Sequence, residues 1–251
     1  MVAGGTASYV ATGLTVGTHG ITGAFQGSTE LAASISAMVT VTVDARIGAE
    51  FRTNTRTVGS QQYPAVARLA DVGWVVAWAS RDQDGSGWGI YAQRYGTDGT
   101  KRGTEFRVNT RTAGSQSFPA IAAATDGSFV VTWLATASTG KSAGIWAQRW
   151  SAAGARLGPE FRVDSTAGTS QTAPSIAVAP SGGYLISWIS NNASARTFDV
   201  HTQLYDKAAK RIGGEVKANA VTMPAITSTS SVAARSDGSW VVTWTSVTKV
   251  G

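Results

Sequence analysis

Cysteine is missing from this chain of 251 residues, which rules out both a disulfide frame and a thiolate metal site. Histidine is nearly missing too, with 2 residues, His19 and His201. They lack metal-ligand spacing, and no G-x-S-x-G segment accompanies them, so neither a zinc centre nor a Ser-His-Asp set has its parts. Charge is sparse at 14%. Long apolar runs are also lacking: WVVAWA at 74–79 is far too short to span a bilayer. The start, MVAGGTASYV, has neither a basic opening nor an apolar core, so an export signal is expected outside this chain. The net charge of +6 comes from lysines and arginines at scattered, recurring positions rather than in a run. Neither a nucleic-acid partner nor membrane insertion is expected.

What the chain has in quantity is glycine, at 29 residues, amid Ser, Thr, Val and Ala, a mixture suited to short strands and tight turns. It also has a period. Glu50, Glu105, Glu160 and Glu215 are 55 residues apart, and Gln93, Gln148 and Gln203 keep the same step. GIYAQRYGTDGTKRGTEFRVNT from Gly89 returns as GIWAQRWSAAGARLGPEFRVDS from Gly144 and, more faintly, from Asp199. A fixed step of this size marks a repeat architecture.

Each copy reads as four short strands, in the second copy at Glu105–Asn109, Pro119–Ala123, Ser128–Trp133 and Gly144–Trp150. Trp78, Trp133, Trp188 and Trp244 end the third strand of each copy. WVVAW, FVVTW, YLISW and WVVTW have no polar face, as befits strands buried on both sides. Four-stranded sheets repeated radially and packed face to face form a β-propeller. The EFRTN, EFRVN, EFRVD and EVKAN segments alternate charge with Phe or Val and suit an exposed edge strand. The fold expected is therefore all-β, an incomplete propeller over residues 45–251. Its blades begin near 48, 103, 158 and 213, with the last cut short.

Residues 1–44 differ, with candidate strands at Tyr9–Thr12, Gly20–Phe25 and Ser36–Val43. The wording TGLTVGTHGITGAFQG and SISAMVTVTV resembles the last part of a bacterial immunoglobulin-like repeat. It implies a partial β-sandwich segment at 1–44. The segments EFRVNT, PAIA, DGSFVVTW and DGSGWGIYAQRY resemble tandem repeats of very large secreted bacterial surface proteins that also carry RTX-type calcium-binding modules. The resemblance implies a fragment of a secreted or cell-surface protein. Its partners would be other domains of the parent chain and a surface glycan or protein.

One loop is chemically suggestive. In Ser80-Arg81-Asp82-Gln83-Asp84-Gly85-Ser86-Gly87-Trp88, the alternate positions Asp82, Asp84 and Ser86 offer oxygens as Ca²⁺ loops do. A capped turn, with Asp side chains bonding backbone amides, explains the same residues. The loop is also similar to the Asp-box of sialidases, which in those propellers is a structural turn. Sialidase chemistry would need gathered arginines, whereas Arg94 and Arg149, and Arg52, Arg107 and Arg162, fall at repeat-equivalent places. Trp88, in a loop that can face solvent, with Asp82 and Asp84, is the expected site for stacking a sugar. Tyr91, Trp146 and the glutamines are expected between sheets, the amides satisfying buried backbone groups. The function expected is a non-catalytic structural or adhesin-like module with no catalytic residues and no cofactor. The alternatives are a glycan-binding propeller assisted by calcium and a sialidase-type exo-glycosidase.

Overall fold

The computed structural model describes residues 17–22, 24–25, 34–35, 39–43, 50–137, 143–165, 170–192, 197–221 and 226–246. It divides into two compact units, Met1–Arg52 and Thr53–Gly251. In the first unit β1 (Gly17–Ile21) pairs antiparallel with β4 (Val39–Val43), and β2 (Ala24–Phe25) with β3 (Ser34–Ile35). The expected strand at Gly20–Phe25 is thus broken in two. The strand expected at Tyr9–Thr12 lies outside the described residues. The all-β expectation holds here, but these pairings do not show an immunoglobulin-like sandwich.

The second unit holds three antiparallel four-stranded sheets and a two-stranded one. The first runs β5 (Gln61–Arg68), β6 (Trp74–Arg81), β7 (Trp88–Tyr95), β8 (Lys101–Arg107). The second runs β9 (Ser115–Ala123), β10 (Phe129–Thr136), β11 (Ala143–Trp150), β12 (Phe161–Arg162). The third runs β13 (Ser170–Val178), β14 (Tyr184–Asn192), β15 (Thr197–Tyr205), β16 (Arg211–Lys217). The last pairs β17 (Ile226–Ala234) with β18 (Trp240–Ser246). Copies that start near 103, 158 and 213 therefore begin with the strand that closes the preceding sheet, so sequence copy and sheet are one strand out of frame, whereas EFRTN at 50–54, expected as an edge strand, forms none.

Alternation along β10 explains why its sequence is apolar all round. Phe129, Val131 and Trp133 pack with Val75, Ala77, Ala79, Ile90 and Ala92 of the first sheet. Val130 and Leu134 pack with Ile176, Tyr184, Ile186 and Trp188 of the third. Successive side chains point to opposite faces, and here each face meets another sheet. The strands β5, β9, β13 and β17 run beside one another in that order and form the inner wall. The outer strands β8 and β16 are largely exposed, which matches their charge.

The periodic residues hold the sheets in place. Glu105 Oε2 accepts Thr55 N–H at 2.6 Å, Glu160 Oε2 accepts Thr110 N–H at 2.6 Å, and Glu215 Oε2 accepts Ser165 N–H at 2.8 Å. The Glu160 and Glu215 bonds reach from the outer edge of one sheet to the segment that leaves the outer strand before it, and the Glu105 bond reaches the segment that leads into the first sheet. The Glu160 and Glu215 side chains are only 6% and 8% exposed, so these carboxylates are latches between sheets and not merely edge charges. Gln93, Gln148 and Gln203 donate Nε2–H to the next residue's carbonyl at 2.9, 2.9 and 3.0 Å. The same amides reach Gly103, Gly158 and Gly213, whose positive φ lets the outer strand bulge there.

Two stability outcomes follow. Trp188 is fully buried while Trp244 is 38% exposed. Trp188→Ala should cost about 3–5 kcal/mol in denaturant unfolding and Trp244→Ala under about 1. Tyr184 and Tyr205 stack at 5.1 Å in the core between the second and third sheets. Burial pushes the Tyr205 phenol up to about 12 and also raises Tyr184. A phenol kept protonated in the native state adds stability below its unfolded value of ~10, lost as pH climbs through the folded value. Thermal stability should therefore fall between pH ~10 and ~12, and Tyr205→Phe should flatten that fall.

Candidate functional site

All four inner strands carry a break in register, and in the first three it takes one form. In β5 the ladder passes from Gln62↔Ala79 to Ala65↔Ala77, leaving Tyr63-Pro64 together opposite Trp78. In β9 it skips Phe118-Pro119 opposite Trp133, and in β13 Ala173-Pro174 opposite Trp188. Two residues facing one is a β-bulge, and proline suits it because no ladder N–H is needed there. In β17 the break differs: the ladder jumps from Ile226↔Ser246 to Ser230↔Trp244, so three residues oppose Thr245, and Thr229-Ser230 holds only the sequence-equivalent place. The buried tryptophan column and the bulges are thus two sides of one device.

Tyr63, Phe118 and Ala173 have φ of 56°, 52° and 50°. Left-handed backbone is costly for residues with a Cβ, and such strain collects at ligand sites. The bulges converge on a cavity of about 430 Å³ lined by Tyr63, Pro64, Phe118, Pro119, Thr172, Ala173, Pro174, Thr229 and Ser230. Its aromatic side is Tyr63 on Phe118 at 4.1 Å between ring centroids, the two being 40% and 39% exposed. The opposite side is small and carries hydroxyls. At repeat-equivalent bulge positions the chain has Tyr, Phe, Ala and Thr, so the repeat diverges where the strands meet. None of the lining residues is charged.

Trp88 adjoins this cup. It is the first residue of β7 and half-buried rather than in an open loop, and its ring lies 6.5 Å from Tyr63. The turn that leads to it carries the other expected site residues. Asp82 has φ 55°, is exposed and pairs with Arg81 at 3.5 Å. Asp84 Oδ1 accepts Ser86 N–H at 3.3 Å, and its Oδ2 accepts Asn109 Nδ2–H at 3.1 Å. Both Asp84 oxygens face N–H donors, the arrangement of a capped turn. Among the described residues no three His, Asp or Glu side chains converge as metal ligands do. Gly87 seats the turn against the second sheet, where a Cβ would meet Ser115 Oγ at 2.6 Å and Gly114 O at 2.9 Å.

The arginines compared with a sialidase cluster stay apart and work locally. Arg94 donates to Ala152 O, Arg107 to Asn109 O and Arg162 to Asp164. His201 stacks on Trp188 at 6.0 Å and sets Nδ1 2.6 Å from Glu215, so it packs in the aromatic column and also touches the latch. Tyr63 and Phe118 escaped the sequence reading. The available signal was an aromatic-Pro pair at matched positions, QYPAVA and SFPAIA, that becomes TAPSIA in the third copy.

No protein-family profile and no curated protein matches the chain. Among solved structures it is similar to an endo-arabinase from Bacteroides thetaiotaomicron, at 12% identity and a TM-score of 0.52 over 91% of this chain and 90% of that one. It is similar also to an α-L-arabinanase from Penicillium chrysogenum complexed with arabinobiose, at 14% identity and a TM-score of 0.53 over 85% of this chain and 64% of that one. Both are propeller-like and built of four-stranded antiparallel sheets. At these identities the likeness is one of fold. It nonetheless corrects the expectation of a non-catalytic structural or adhesin-like module, since both of these neighbours are glycoside-cleaving enzymes.

The strain at the bulges gives a direct check. Ala173→Gly removes the Cβ that makes φ 50° unfavourable and should raise stability by about 1 kcal/mol in urea unfolding. The mirror change at Ala177, in the regular part of β13, should lower it by about as much.

Proposed function

We propose that the propeller-like unit is a glycoside hydrolase that holds a neutral saccharide chain, of the arabinan class, in the cup between the four bulges. The observation that carries this reading is the cup itself. Paired aromatic rings face hydroxyls across about 430 Å³, a volume in the range of small-molecule sites. A sugar's apolar face would lie on Tyr63 and Phe118 and its hydroxyls would meet Thr172, Thr229 and Ser230. The fold shared with arabinanases supports the chemistry, and strain held at Tyr63, Phe118 and Asp82 supports the location.

Glycoside cleavage needs two carboxyl groups, one to protonate the leaving oxygen and one to serve as base or nucleophile. Glu105, Glu160 and Glu215 are engaged as latches. Asp71 is tied to Arg102, and Asp98, Asp126 and Asp237 cap their turns. Asp164 is tied to Arg162 and Asp199 to Lys217, and Asp206 caps its turn. Asp82 and Asp84 are singled out by position, on the turn whose Trp88 touches Tyr63. The proposal assigns the proton donor to exposed Asp82 and the base or nucleophile to Asp84, which is oriented by Ser86 and Asn109. The resemblance of the repeats to large secreted bacterial proteins supports an activity exercised outside the cell.

Reducing-end release from arabinan, xylan and galactan is the test. The chain should release sugar from at least one of these, and Asp82→Asn or Asp84→Asn should lower kcat by about 10²–10⁴. Tyr63→Ala should raise KM with a smaller effect on kcat. Binding to these polymers without any release would overturn the enzymatic reading.

A further inference from the structure

The first three inner strands repeat one backbone and then part company at a single side chain. Tyr63, Phe118 and Ala173 have φ of 56°, 52° and 50°, each precedes a proline, and each pair opposes a buried tryptophan. All three residues line the cup. Tyr63 and Phe118 end in rings, stacked at 4.1 Å. Ala173 ends at its Cβ.

Two sister strands show that this bulge accepts a ring, so the core behind it does not impose alanine on the third. SFPAIA at 117–122 and TAPSIA at 172–177 keep the same proline and the same buried position after it, isoleucine in the second and partly buried isoleucine in the first. The place where a third ring would stand is left to the cup, beside half-buried Thr172 and exposed Thr229. A phenyl ring and a sugar ring are close in breadth. None of the lining residues is charged, so an ionised unit would lose its hydration there without a partner.

We propose that Ala173 is the specificity-determining residue of the cup: by withholding a ring, it leaves a place for one unit of a neutral saccharide across from Tyr63 and Phe118. This rests on the saccharide reading above and names the residue that decides which unit fits. Ala173 acts through room and not through contact chemistry, since a methyl group offers no hydrogen bond. An aromatic residue at 173 would restore the pattern of the sister strands and fill the place from within.

The test is calorimetric titration of the whole chain with linear arabinotriose. The wild-type chain should bind saturably. Ala173→Phe should weaken binding by about tenfold or more while the urea midpoint stays near that of the wild-type chain. Ala173→His, whose ring also suits left-handed backbone, should weaken it likewise, and Ala173→Asn, which suits that backbone but carries no ring, should bind nearly as the wild-type chain does. Binding unchanged in folded Ala173→Phe and Ala173→His, or lost equally in Ala173→Asn, would overturn this inference and leave the hydrolase reading standing. Binding that depends on position 173 as described, but with no sugar released, would sink the hydrolase reading and uphold this one. A wild-type chain that binds no saccharide would overturn both.

Discussion

Burial of the second strand of each four-stranded sheet on both faces is the constraint on which this structure depends. β10 cannot be stable in isolation, because Phe129, Val131 and Trp133 on one face and Val130 and Leu134 on the other would meet water. Each sheet must therefore find another on either side, and sheets that stack this way bring their first strands together. Non-directional apolar burial sets that the sheets stack. Directional bonds set how: the Glu160 and Glu215 latches join successive sheets at the same step, and Glu105 repeats the bond on the segment before the first sheet. Removing such a buried acceptor would leave backbone amides unpaired, which is costly.

The functional cup follows from the same constraint. In each four-stranded sheet a tryptophan in the middle of the second strand takes the space of one residue, and the inner strand opposes it with two. The bulge re-aims one side chain per sheet away from the ladder and toward the meeting point of the inner strands. The scaffold thereby offers four equivalent positions whose side chains can change without disturbing the core. This chain fills them unequally, with rings on one side and small hydroxylated residues on the other. Strained backbone at Tyr63 and Phe118 persists because the packing behind it fixes the tryptophans.

Much of the architecture could be read from residue order because it repeats. The 55-residue step, the apolar VVTW strands and the charged edge strands each carried their own physical signature. The frame was harder to read, since a strand that closes one sheet and a strand that opens the next look alike until pairing is known. The glutamates showed their period but not their partners: a bond spanning 50 residues has no local sign. The site was the least legible part. Trp88, Asp82 and Asp84 stood out as a loop motif, of which Trp88 alone contacts a residue of the cup, Tyr63. Tyr63 and Phe118 did not stand out, because an aromatic before proline within a strand reads as ordinary core. Its positive φ is a property of the bulge.

Saturation-transfer difference NMR with arabino-oligosaccharides on the intact chain tests the central claim most directly. The account predicts transfer to sugar ring protons from the aromatic protons of Tyr63 and Phe118, lost in the double variant Tyr63→Ala, Phe118→Ala while the fold is kept. Transfer that survives in that double variant, or that comes from aromatic residues outside the cup, would contradict it.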